Sequence, residues 1–174
     1  MKIKVWTLML PCALIWHAGF AEKPKVEVFV VKKYEIGKIV YSYSITNNGD
    51  QAIWRVMIGF SESPETGFLG VKPAAIRSPL GWNGESLWCE ASDSETYLVE
   101  WKQDDAQTAN LIKPGESLGG FLLDVPGETT GYTNSPFVVR FVNREKFQGV
   151  SVETTVEPKK NKAVFKKNKL GKSN

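Results

Sequence analysis

Between residues 25 and 156 the chain alternates apolar and polar positions with period two, and no run of ten or more residues keeps helical spacing. Residues 39–45 place Ile39, Tyr41, Tyr43 and Ile45 on one face and Ser42 and Ser44 on the other, the pattern of a half-buried strand. The Asn48-Gly49 pair that follows tolerates the positive φ angles of a tight hairpin, so residues 53–60 are expected to pair back. In that returning run Trp54, Val56, Ile58 and Phe60 share the expected core face, and Arg55, Met57 and Gly59 oppose it. Further strands are predicted over 26–31, 86–91, 96–101, 118–125, 137–143 and 149–156. Eight short strands with turn residues and no helices between them indicate antiparallel sheets packed as a sandwich or barrel.

The runs YSYSITNNGDQAI, 41–53, and LIKPGESLGGFLL, 111–123, resemble those of secreted bacterial immunoglobulin-like or fibronectin type III-like modules. In such modules a strand ends in an Asn-Gly turn, and a later Pro-Gly-Glu-Ser turn leads into another strand. The resemblance covers roughly residues 26–156 and implies an all-β, antiparallel immunoglobulin-like β-sandwich of about seven to nine strands; it implies fold and not activity. The inter-sheet cysteine pair of antibody-type domains is missing.

The two ends differ from this body. Residues 1–4 are a short basic start, 5–16 are apolar, and Gly19 and Ala21 are small residues where a signal peptidase reads. The apolar run is shorter than the roughly 20 residues a membrane span needs. Met9, Leu10 and Pro11 before Cys12 do not make a lipoprotein signal. Residues 1–21 therefore read as a signal peptide cleaved after Ala21. The mature protein is expected to be secreted, in the periplasm or outside the cell, with no integral membrane segment after cleavage. Residues 22–156 form the expected sandwich domain.

Residues 157–174 carry Lys159, Lys160, Lys162, Lys166, Lys167, Lys169 and Lys172 against the single Glu157. A like-charged block with few apolar residues cannot bury enough surface to offset its ordering entropy, so this basic tail is predicted to be disordered. It is either a solvated extension or a polycation that adheres to an anionic surface such as phospholipid headgroups or acidic polysaccharide. The chain's formal charge of +3 falls to +1 without Lys2 and Lys4, which leaves the body between leader and tail net negative by five.

His17, the only histidine, and Cys12 lie in the leader. The mature chain keeps no imidazole and one thiol, Cys89, which sits between Trp88 and Glu90 and reads as a small buried hydrophobe. That composition excludes Ser-His-Asp and Cys-His catalysis and leaves almost no ligand set for zinc or copper. No cofactor and no metal are expected. Asp93 with Glu95, and Asp104 with Asp105, lack the spacing of a calcium loop and read as solvated loop acids. Carboxylate-pair hydrolysis needs no histidine, so a small glycosidase-like enzyme stays open as an alternative. Nothing selects a pair among Glu62, Glu65, Glu90, Glu95 and Glu100, which read as surface acids, and the chain is expected not to be an enzyme.

Recognition is the remaining class. Residues 60–86 form a long connection rich in turn formers, and within it Trp82 and Asn83 stand among glycines and prolines. Residues 126–136 carry Thr129, Thr130, Tyr132 and Asn134. Convergence of Trp82, Asn83, Tyr132 and Asn134 at one end would make a polar and aromatic surface for a polysaccharide or protein partner at the cell envelope; in the other reading the rings close the end of the sandwich. Trp54, Trp88 and Trp101 are assigned to the core. The expected function is non-enzymatic binding or an envelope structural role, with a carbohydrate-binding module as the alternative; nucleic acid is not expected as a partner. An unpaired edge at 26–31 would instead suit assembly by a donated strand.

Overall fold

A computed structural model describes residues 24–62, 65–67, 69–89, 95–103, 110–127 and 132–155. The leader, 1–21, and the basic tail, 157–174, lie outside the described residues, as do Asp93, Asp104, Asp105, Thr129 and Thr130. The described chain is all-β: β1 (Val26–Glu35), β2 (Lys38–Asn47), β3 (Ile53–Ile58), β4 (Phe60–Glu62), β5 (Glu65–Gly67), β6 (Ala75–Arg77), β7 (Trp82–Cys89), β8 (Thr96–Gln103), β9 (Ser117–Pro126), β10 (Pro136–Phe141), β11 (Lys146–Val150) and β12 (Val152–Glu153). The first sheet has the order β12-β1-β2-β9-β6 and the second β11-β10-β3-β8-β7, with β4-β5 as a separate hairpin. These sheets pack face to face as the expected sandwich.

Alternation along the strands selects the core. Ile39, Tyr41, Tyr43 and Ile45 of β2 face Val56 and Ile58 of β3, Val99 and Trp101 of β8 and Phe137 and Val139 of β10, all buried. Aromatic rings pack edge-on at its centre: Trp101 and Trp82 stand 5.4 Å and 5.3 Å from Phe121, at 69° and 86°. Such tilted pairs set the positive ring edge against the negative face and add roughly 0.5–1.5 kcal/mol each beyond buried area.

Residues 53–58 do not pair back onto β2. Strand β2 hydrogen-bonds to β1 and β9, whereas β3 hydrogen-bonds to β10 and β8 in the other sheet. The Asn-Gly segment is therefore an arch between sheets, and buried Asn47 holds it. Its Nδ2 donates to the carbonyls of Gln51 at 2.8 Å and Ile112 at 2.9 Å, and its Oδ1 accepts from the Gly49 N–H at 3.0 Å. These bonds satisfy backbone groups that the ladders leave over.

Phe60 also departs from its expected face. Gly59 has φ of +72°, which breaks the period-two alternation, and Phe60 joins Met57, Leu98 and Val138 on the outer side of the second sheet. A Cβ on Gly59 would lie 2.7 Å from Leu69 Cδ2, closer than carbon atoms pack, so glycine is required there twice over. The edge at 26–31 is partly occupied: β12 pairs in parallel with β1 at Phe29 and Val30, and the Thr154 N–H donates to the Val30 carbonyl.

Candidate functional site

The structure does not bring the four sequence-chosen residues into one exposed surface. Trp82 opens β7 opposite Gln103, is 4% exposed, and donates its indole N–H to the Asn110 carbonyl at 2.8 Å. Tyr132 is 0% exposed and stacks on Tyr41 with ring centroids 4.8 Å apart. The Tyr132 carbonyl accepts the Tyr43 hydroxyl at 2.6 Å, and its own hydroxyl donates to the Val71 carbonyl. Burial pushes both phenols well above their ordinary pKa. Both rings therefore close the sandwich, and neither offers a free face for stacking. Asn83 is exposed on β7 opposite Lys102, and Asn134 is an exposed turn residue with φ of +54°.

Among the described residues the exposed indole is Trp88, assigned to the core from sequence but 58% exposed. At the end of β7, opposite Tyr97, it lies beside a groove of about 860 Å3 on the outer face of the second sheet. Met57 of β3, Leu98 of β8 and Leu87 of β7 form the floor, with Phe60 and Cys89 beside them. Leu87 lies directly opposite Leu98, and Met57 lies opposite Val138 on β10. Hairpin β4-β5 exists because Gly59 turns the chain out of β3, and it carries Phe60 and Glu62 to the groove wall.

A row of cations crosses the same face. Lys146 of β11 lies opposite Arg140 of β10, Arg140 opposite Arg55 of β3, and Arg55 opposite Lys102 of β8. Like charges on adjacent strands, about 4.8 Å apart, repel and destabilise a sheet. Three carboxylates interleave with the row. Arg55 Nε pairs with Glu100, Glu62 takes Arg140 Nη2 at 3.0 Å and Lys146 Nζ, and Glu85 takes Lys102 Nζ at 3.1 Å. Glu100, read from sequence as a surface acid, is only 3% exposed, and Glu62 is largely covered. Four cations against three acids leave the row net positive on a body that is net negative by composition. Arg140 Nε is buried without a hydrogen-bond partner.

Period-two reading could have found this face. Arg55 and Met57 alternate outward on β3, and Leu98, Glu100 and Lys102 do so on β8; three of these five are apolar or acidic groups buried where solvent was expected. Among the described residues no cluster of three or more His, Cys, Asp or Glu side chains is arranged to hold a metal ion, and no helix is long and apolar enough to cross a membrane. Glu95 accepts the Tyr97 hydroxyl at 3.2 Å.

No protein-family model matches the chain, and no curated protein matches it. Among solved structures, an uncharacterized protein from Nocardia farcinica with an immunoglobulin-like fold is similar at 13% identity and a TM-score of 0.48, over 69% of this chain and 82% of that one. The exo-β-N-acetylglucosaminidase of Vibrio harveyi is similar at 10% identity and a TM-score of 0.43, in its inactive D437A form and in complex with N-acetylglucosamine. This chain spans 18% and 19% of the length of those enzyme chains.

Proposed function

We infer that the protein is a secreted, non-catalytic binding protein of the cell envelope that takes a protein partner on the outer face of its second sheet. The observation that carries this reading is the groove itself: an apolar floor of Met57, Leu87 and Leu98 inside a rim of Arg55, Arg140 and Lys146, with the Trp88 end of β7 beside it. An apolar centre within a polar rim, enriched in Met, Trp and Arg, is the anatomy of protein interfaces. Trp and Arg are also the residue types that most often carry interface energy. Export rests on the leader over 1–21.

The absence of catalysis is supported by how the groove's acids are held. A catalytic carboxylate must be placed to reach its substrate. Glu100 and Glu62 are each engaged by cations of the sheet instead.

A photo-crosslinking residue placed at position 88 in the native host should yield a discrete protein adduct, while the same residue at exposed Lys33 on the other sheet should not. Trp88→Ala should reduce the adducts formed from position 102 by about tenfold or more, the usual loss at a truncated anchor. Its thermal stability should stay unchanged, because the side chain is mostly solvated. Equal adducts from positions 33 and 88 would sink the assignment.

The exposed indole favours one second reading, a carbohydrate ligand stacked on Trp88. Retention on insoluble envelope polysaccharide that disappears in Trp88→Ala, with no protein adduct, would select it.

A further inference from the structure

The edges of the two sheets are unequal. Among the described residues β12 has two residues, β6 has three, and β11 has five that open on exposed Lys146. Short strands and edge lysines are how sheets avoid pairing with other chains. Strand β7 carries neither device: it runs eight residues in unbroken register with β8 and holds no lysine and no proline. Its one charge, Glu85, is held by Lys102 Nζ at 3.1 Å.

The hydrogen-bond phase of β8 sets which groups of β7 are left over. Tyr97 exchanges both of its backbone bonds with Leu69, at 2.8 Å and 3.0 Å, on the side away from β7. Trp88 lies opposite Tyr97, so its N–H and carbonyl point outward from the sheet edge, as do those of Ser86 and Gly84. Trp82, next in the same phase, gives its N–H to the Pro79 carbonyl. Among the described residues nothing takes the backbone groups of Gly84, Ser86 or Trp88. On the inner face a Cβ at Gly84 would lie 2.6 Å from Ile76 Cγ2 of β6 and 2.6 Å from Trp101 Nε1, so Ile76 covers that glycine. Trp88, of the same parity, is mostly solvated.

We propose that two copies of the chain pair β7 to β7, antiparallel, across a two-fold axis at Ser86, so that their second sheets join into one. In that register Ser86 meets Ser86, and Trp88 of each copy meets Gly84 of the other. These are the residues whose backbone groups point outward, so each pair exchanges two main-chain bonds. An aromatic side chain opposite an edge glycine covers exposed backbone, and here the indole also meets Ile76, which is only partly buried. Glu85 falls opposite Leu87, so no like charges meet. An axis at Gly84 would instead set Trp88 opposite Leu80, outside the strand. The strand is therefore complementary to itself in the one register that uses all three outward residues. The axis stands perpendicular to the sheet, so both outer faces, each with its groove, point the same way. This contact needs nothing in the groove, and the inference stands or falls independently of the groove's partner.

Sedimentation equilibrium of the purified, exported protein over roughly 1–500 μM, the weak end of specific association, should show a reversible rise toward twice the monomer mass. Trp88→Ala and Ser86→Lys should each weaken that association about fivefold or more, the second by setting two ammonium groups opposite each other. Gln148→Lys adds the same charge at an exposed position of β11 and should leave it unchanged. The Trp88 side chain is mostly solvated, so its truncation leaves the fold intact and decides the matter even where Ser86→Lys does not fold. A photo-crosslinking residue at position 88, in a mixture of isotopically light and heavy protein, should join the two copies at or beside Gly84. Such adducts have twice the mass of the chain, which keeps them apart from those of a groove partner. A monomer throughout that range, association untouched by either folded variant, or crosslinks outside 82–89 of the second copy would each overturn the proposal.

Discussion

Gly59→Ala is the substitution that most directly links the fold to the groove. Gly59 holds φ at +72°, where an L-residue costs about 1–2 kcal/mol. Its new methyl would also sit 2.7 Å from Leu69 Cδ2 and 3.0 Å from Cδ1, nearer still to Cγ, and Leu69 is fully buried. Overpacking of that kind costs roughly 1–3 kcal/mol more. The total, about 2–5 kcal/mol, is a large share of the roughly 5–15 kcal/mol that holds an ordinary domain. Urea unfolding followed by tryptophan fluorescence should show the midpoint falling with little change in slope.

The two causes separate in a double-mutant cycle with Leu69→Ala. Leu69→Ala alone leaves a cavity and costs about 2–5 kcal/mol. Because it also removes the atoms the new methyl strikes, the double variant should be less destabilised than the sum by about 1–3 kcal/mol, the overpacking share. Additivity within about 0.5 kcal/mol would refute the steric argument and leave backbone strain alone. A neutral Gly59→Ala would refute both. Since Gly59 also turns Phe60 and Glu62 onto the outer face, the variant should lose adducts from position 88 more steeply than its stability predicts.

Glu100→Gln should cost about 2–4 kcal/mol, because it leaves Arg55 without its carboxylate in a largely covered site; Arg55→Met with Glu100→Leu should restore more than half, and chemical denaturation of the four variants measures the difference. Asp124 accepts from Lys38 and Arg77, both at 2.5 Å, and the Lys38 hydrogen bond, then Arg77, hold its carboxyl below the usual range against opposing burial. A folded pKa below the unfolded one means stability that is fully present above about pH 4 and is lost as pH falls through the folded value, so Asp124→Asn should flatten the stability curve on that acid limb. Tyr132→Phe should keep the stack on Tyr41 but orphan the Val71 carbonyl, lowering stability by about 1–2 kcal/mol in a thermal melt.

The strands themselves were largely legible, because alternation along β1 and most of β2 is enforced by one buried face per strand, and in β8 and β10 the inward positions stay apolar even where the outer face is covered as well. Partnership was not. An Asn-Gly pair satisfies the backbone of a hairpin and of an inter-sheet arch equally, and the choice at 47–53 is made by Asn47 bonding to Ile112, sixty-five residues away. The long connection over 60–86 resolved into β4, β5 and β6, strands of three residues that are too short to show a period, and the start of β7.

Which tryptophan stays exposed was illegible for a related reason. Trp82 sits among Pro79, Gly81 and Gly84, so its surroundings read as loop, whereas Trp88 lies within a run, 86–91, that reads as strand. Yet both tryptophans share the inward parity of one strand, opposite Gln103 and Tyr97 respectively. Depth along the strand separates them. Phe121 of the facing sheet packs on the Trp82 ring, and Asn110 caps its N–H, while at the far end of β7 Trp88 overhangs the core and stays exposed. Periodicity reports the face a side chain points to; it carries no information about where the opposing sheet stops. The exposed aromatic of a sandwich is therefore found by register against the second sheet. Here that register takes Trp82 into the core, where Phe121 meets it, and leaves Trp88 exposed at the far end of the same strand.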